Sequence, residues 1–200
     1  MGCAPDVGED STSLTVDQEQ LGPITPTHED PYDLITIDDI GIQAPTAFDE
    51  CSQNIGDTPC DIILKDQDDN FFRLYDHVGE VILLDFSVGW CGPCIRAAGT
   101  VEQVQQQYGA DGFIYVTIMI EDNQQNPTTL EYTQQWAQTY GIESAPILQG
   151  SRDLIDYDSV DGYNLTSWPT FYIIDRDMNL DAGIRGFSED WIQSHIQDLI

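Results

Sequence analysis

Basic side chains are nearly missing from this chain of 200 residues: 6 Lys and Arg stand against 36 Asp and Glu, a formal net charge of -30. With no lysine- or arginine-rich patch to neutralise phosphates, nucleic-acid binding is excluded as a function class. An anionic membrane surface would repel the same chain. Histidine is sparse as well, and His28, His77 and His195 form no cluster, so no metal centre is expected. No stretch approaches the ~20 apolar residues of a membrane span. No apolar run of the kind that marks a signal peptide opens the chain, and internal repeats are absent.

Apolar residues make up 40% of the chain, enough for one real core. The acidic excess suits a well-hydrated surface at high ionic strength, where screening weakens self-repulsion. A surface that selects basic partners is the other reading. Residues 1–45 are rich in Asp, Glu, Thr, Gln and Pro, and too poor in apolar area to offset their ordering entropy. They are expected to form a disordered acidic tether ahead of a single domain over residues 46–200.

Within the domain the pattern alternates. Ile62–Leu64 and Phe71–Leu74 flank the polar turn Asp66–Asn70 and read as a hairpin. Val81–Ser87 reads as a buried strand. Pro93–Tyr108, with apolar residues at Ile95, Ala98, Val101, Val104 and Tyr108, reads as one helix closed by Gly109. A second buried strand follows over Phe113–Ile120. Asn126 and Pro127 are expected to cap and open a helix that runs through Trp136 to a stop at Gly141. Pro146–Leu148, Thr170–Ile174 and Leu180–Gly186 complete the strands, and Ser188 caps a last helix. Alternating strands and helices predict an α/β domain with a central sheet covered on both faces.

Five cysteines remain to be placed. Cys51 and Cys60 flank the polar loop Ser52–Pro59, and a disulfide between them is the favoured reading; it implies an oxidising compartment. A zinc site is the competing idea, but the close-spaced half-site is missing and no histidine lies nearby. Two buried thiols are the third. Cys3 follows Gly2 and precedes a long polar tether, as at the start of a mature bacterial lipoprotein, so it is a lipid-anchor candidate alongside an incidental tail thiol. Myristoylation fits poorly, because Asp6 stands where Ser or Thr is wanted. Cys91 and Cys94 lie in Trp90-Cys91-Gly92-Pro93-Cys94, where a strand hands over to a helix N-terminus. Unpaired N–H groups and the helix dipole there favour a thiolate. A low-pKa sulfur with a second sulfur in reach is what dithiol–disulfide exchange requires.

Val81–Cys94 resembles the core motif of the thioredoxin superfamily, a strand ending in Asp-Phe that leads to Trp-Cys-Gly-Pro-Cys. The resemblance extends through Trp168-Pro169-Thr170-Phe171, similar to the family's cis-proline segment, and on to Gly186. The strand–helix insertion between Phe113 and Ser167, and the Gly56-Asp57-Thr58-Pro59 entry, resemble the TlpA-like reductases. The implied fold is a central mixed sheet flanked by helices.

The resemblance also implies roles. Cys91, taken as the more exposed sulfur, attacks a substrate disulfide, and Cys94 resolves the mixed disulfide. Asp85 accepts the proton of Cys94, and burial would raise its pKa toward neutrality. Trp90 shields the pair, Gly92 lets a partner chain approach, and Pro93 stiffens the first turn. Trp168 and Pro169 present backbone to an extended substrate. Ser87 stands where thioredoxins usually carry tryptophan, and Ile95 where lysine is common.

The expected activity is therefore a thiol–disulfide oxidoreductase without further cofactor or metal. It would reduce disulfide-containing client proteins outside the cytoplasm, as a monomer recharged by a membrane electron donor. A thiol peroxidase is one alternative, although the Pro-x-x-x-Thr-x-x-Cys setting of peroxiredoxins is missing. A non-catalytic module with a permanent Cys91–Cys94 bridge is another.

Overall fold

The computed structural model describes residues 51–155 and 162–200. The tether expected over residues 1–45, with Cys3, lies outside the described residues. Cys51 and Cys60 form a disulfide with Cα atoms 4.7 Å apart. The loop they close is used: Gly56 N–H donates to the Leu180 carbonyl and Leu180 N–H to that of Asp57. The bridge therefore ties the domain entry to a strand far along the chain.

Ile63–Lys65 (β1) and Phe71–Arg73 (β2) pair antiparallel, Ile63 opposite Arg73. Their turn is locked by Asp66, whose carboxylate accepts from the Asp68 and Asn70 N–H groups. The main sheet has five strands: Val81–Val88 (β3), Phe113–Glu121 (β4), Ile147–Gln149 (β5), Thr170–Ile174 (β6) and Leu180–Arg185 (β7). Their order is β5-β4-β3-β6-β7; β3 runs parallel to β4 and antiparallel to β6. All eight residues of β3 are buried, as its continuous apolar run requires.

Among the described residues four α-helices flank this sheet: Gly92–Ala98 (α1), Val101–Tyr108 (α2), Leu130–Tyr140 (α3) and Glu189–Leu199 (α4). Side chains alternate along β3. Val81 and Leu83 pack with Ala97, Val101, Tyr108, Trp136, Ile192 and Ile196 from all four helices. Ile82, Leu84, Phe86 and Val88 join the other half of the core, with Phe72, Leu74, Tyr163 and Trp168 from the hairpin side and the segment before β6. Both faces are thus covered, by different means. The edge at β5 is closed by the hairpin turn: Gln67 accepts from Ile147 N–H and donates to the Ala145 carbonyl, pairing as a strand neighbour would.

Two expectations are corrected. The helix expected over Pro93–Tyr108 breaks at Gly99 and Thr100, where the Thr100 hydroxyl donates back to the Ala97 carbonyl at 2.8 Å. A glycine followed by a back-bonding threonine is a weak point in any helix. Asn126 and Pro127 do not open α3. Thr129 caps it, accepting from Tyr132 N–H, while Asn126 closes a tight loop on Asp122.

Candidate active site

The site forms where β3 ends. Its helix-facing row reads Val81, Leu83, Asp85, Ser87, so an apolar row turns polar in its last two members. A bulge between Ser87 and Val88 shifts the register against β4 and carries the chain into the Cys91 turn. A Cβ on Gly89 would lie 1.9 Å from the Tyr132 hydroxyl, so any larger residue there must displace that ring. Cys91 is the N-cap of α1 in extended conformation, with Pro93 in the first turn where its missing N–H costs nothing.

The structure brings together most of the residues singled out from the sequence. Cys91 and Cys94 are hydrogen-bonded to each other. The Cys91 thiol also donates to the Trp168 carbonyl at 3.4 Å, directly before the cis Trp168–Pro169 bond. The expected difference in exposure between the sulfurs is not found: both are fully buried. Cys91 turns inward to the Trp168 carbonyl instead of outward to solvent. Gly92 is exposed and Pro93 partly so, giving the buried pair an accessible rim.

Asp85 lies beneath the pair, 1% exposed. Ser87 Oγ donates to its Oδ1 at 2.5 Å and the Tyr115 hydroxyl to its Oδ2 at 3.2 Å. Burial outweighs both bonds and raises the carboxyl to about 7, with a smaller push from Cys91 when that sulfur is a thiolate. Burial likewise pushes the Cys94 thiol well up, helped by its bond with Cys91 and the field of Asp85. Cys94 is therefore favoured as a thiol, in the field of a carboxyl whose pKa is raised toward neutrality.

Three residues that sequence reasoning left without a role belong to this cluster. Ser87 was noted only as a departure from the family pattern. Tyr115 was hidden in a buried strand, where an aromatic reads as core. Glu121 ends β4 at 3% exposure; its Oε2 accepts from the Trp90 indole at 2.9 Å, and its Oε1 pairs with Arg152. A carboxylate closing the apolar run Phe113–Ile120 was the available signal. Among the described residues no group of three His, Cys, Asp or Glu is placed to hold a metal.

The model of the AhpC/TSA family matches residues 55–182. A thioredoxin-like protein of Bacillus subtilis, YneN, is 30% identical over 58% of this chain and 62% of its own length. Thioredoxin 1 of Synechococcus elongatus is 33% identical over 40% of this chain and 65% of its own. The chain thus spans under two thirds of the length of these relatives. Among solved structures, a thiol:disulfide interchange protein of Chlorobium tepidum superposes with a TM-score of 0.58 at 21% identity, covering 74% of this chain and 97% of that one. The exposed lipoprotein thioredoxin Etrx1 of Streptococcus pneumoniae gives 0.58 at 23%, covering 70% and 100%. At these identities the two structures speak for the fold.

Proposed function

The chain belongs to the AhpC/TSA family and has the thioredoxin-like fold of a thiol–disulfide oxidoreductase, and on that premise we propose that it reduces protein disulfides outside the cytoplasm. The observation that carries this reading is the buried Cys91–Cys94 pair, bonded sulfur to sulfur through hydrogen, above a carboxyl raised to about 7.

The Cys91 thiolate attacks one sulfur of the client disulfide and forms a mixed disulfide, and the other client sulfur leaves with the electron pair. Asp85 accepts the Cys94 proton, which suits a base whose pKa lies near the working pH. The Cys94 thiolate then displaces the client from Cys91, so the client leaves reduced and Cys91–Cys94 is left oxidised. Trp168 and Pro169 line the approach, because the Trp168 carbonyl already holds the Cys91 sulfur. A Cβ on Gly92 would meet only Arg96 Nη1, at 3.9 Å. The chain's own packing does not demand this glycine, which fits a place kept open for a client.

Gly-Pro between the cysteines favours the reducing end of the scale, near about −270 mV, over the about −120 mV of a strong oxidant. The Cys51–Cys60 bridge supports an oxidising compartment. Attachment through Cys3, recharging by a membrane donor and action as a monomer complete the proposal. A peroxidase reading is weaker, since the positions of the peroxiredoxin proline and threonine hold Leu84 and Val88, both buried and apolar.

Redox titration against glutathione tests the direction: a potential above about −150 mV overturns the reductase reading. A Cys94→Ser variant in the native envelope should retain clients on Cys91. Recovery of none would count against the exchange role.

A further inference from the structure

We propose that Ser87 is the proton conduit between Cys94 and Asp85, a positioning residue for the resolving step. The inference rests on the reading of Asp85 as proton acceptor and adds the path the proton takes. Ser87 is 1% exposed, on the same face of β3 as Asp85, and donates to Asp85 Oδ1 at 2.5 Å. Ser87 is also a side-chain neighbour of Cys94, where its hydroxyl favours the thiolate. One hydroxyl thus touches the donor and the acceptor of the same proton.

A hydroxyl has one donor and two acceptor sites. Once Cys91 is bound in the mixed disulfide, the Cys94 hydrogen is released from Cys91 and can be given to Ser87 while Ser87 gives its own to Asp85. The balance closes. The Cys94 S–H proton passes to Ser87 Oγ as the Ser87 proton passes to Asp85 Oδ1, leaving Cys94 thiolate, Ser87 hydroxyl and protonated Asp85. The thiolate forms the bond to Cys91 Sγ, the bond from Cys91 to the client sulfur breaks, and the client thiolate takes its proton from solvent. Tyr115 holds the other carboxylate oxygen and keeps Oδ1 turned to Ser87. The titratable groups facing Asp85 are then Cys91 and Cys94 from the turn and α1, and Tyr115 from β4. Asp85, Ser87 and Cys94 are all closed to bulk solvent, so the proton is passed between protein groups.

The test follows both steps of one turnover with dithiobis-nitrobenzoate, using the full chain on a Cys3→Ser background. Attack by Cys91 releases the first nitrothiobenzoate and resolution by Cys94 the second, each recorded by stopped flow across pH 5 to 9. Ser87→Ala should leave the first release unchanged, slow the second roughly tenfold or more and flatten its rise near pH 7. Ser87→Thr, which keeps the hydroxyl, should restore both. A second release unaffected in Ser87→Ala but slowed in Asp85→Asn overturns the conduit and leaves the acceptor standing. Asp85→Asn with an unchanged second release overturns the acceptor and the conduit together. Failure of Ser87→Thr to restore the rate assigns Ser87 a packing role and likewise overturns the conduit.

Discussion

The Trp90 indole N–H and the Glu121 carboxylate meet at 2.9 Å, and Glu121 turns its second oxygen to Arg152. One buried acid therefore fixes the ring beside the active-site turn and the short helical turn Arg152–Leu154 beyond β5. Glu121→Ala leaves an indole N–H and a guanidinium without their acceptor, at about 1–3 kcal/mol by the usual cost of such a loss. If Trp90 shields the pair, as the resemblance implies, alkylation of Cys91 should become faster once the ring is no longer held. Equal alkylation rates in variant and wild type would show that Glu121 does not position Trp90.

Asp85 makes stability depend on pH with an unusual sign. Its folded carboxyl is raised from 3.8 to about 7. Between those values the folded state binds a proton that the unfolded state has released, so stability falls as pH rises through the window and stays lower above it. The full difference corresponds to about 4 kcal/mol. Asp85→Asn removes the ionisation. The reduced variant should exceed the reduced wild type by about 2 kcal/mol or more at pH 8, after allowing for a disturbed Tyr115 bond, and by little at pH 4. Urea unfolding at the two pH values reads this directly. A constant difference between the proteins would contradict it.

Much of this fold was legible because its signals are local. The continuous apolar run Val81–Phe86, the strand Thr170–Ile174 and the cap at Ser188 each express a physical need in adjacent residues. The error at Asn126 is instructive. Asp66–Asn70, Asp122–Asn126 and Asp175–Asn179 fold alike, each Asp carboxylate accepting from the N–H groups two and four residues on. Each also places its fourth residue, Asp69, Gln125 or Met178, at positive φ. The first and third copies lie between strands and read as turns; the second precedes a proline, which imitates a helix start. In the site, Cys91, Cys94 and Asp85 were legible through the spacing of a known motif. Tyr115 and Glu121 were not, because their contacts reach from β4 to β3 and the turn after it, which adjacent residues do not encode; Ser87 was not, because a serine two residues from an aspartate on a strand shows its bond only once both are buried.

The Cys51–Cys60 bridge should matter locally more than globally. A loop this short, with the cysteines nine positions apart, yields about 2–3 kcal/mol of chain-entropy stabilisation. Its Gly56 and Asp57 are bonded to Leu180 at the start of edge strand β7. A Cys51→Ser, Cys60→Ser double variant should lose about that much stability, and amide exchange should accelerate first at Gly56 and Leu180. Amides of β3 and β4 should change only as global stability does. Uniform acceleration across the sheet would mean the bridge supports the whole domain.

Gly89 and Gly92 flank the reactive turn, and the structure separates their reasons for being glycine. A Cβ at Gly89 would sit 1.9 Å from the Tyr132 hydroxyl and 2.8 Å from Asn123 Oδ1, and moving that ring breaks the bond between the two. Gly89→Ala should cost about 1–3 kcal/mol, and Tyr132→Ala in the same chain should recover part of it by clearing the space. At Gly92 the nearest atom is the far end of Arg96, at ordinary contact distance. Gly92→Ala should therefore leave thermal unfolding within about 0.5 kcal/mol of wild type. Its effect should fall on the rim where a client approaches: slower reduction of a protein disulfide such as that of insulin, with an unchanged rate toward a small disulfide. Equal slowing toward both substrates would place the glycine's role in the chemistry of Cys91 instead of in access to it.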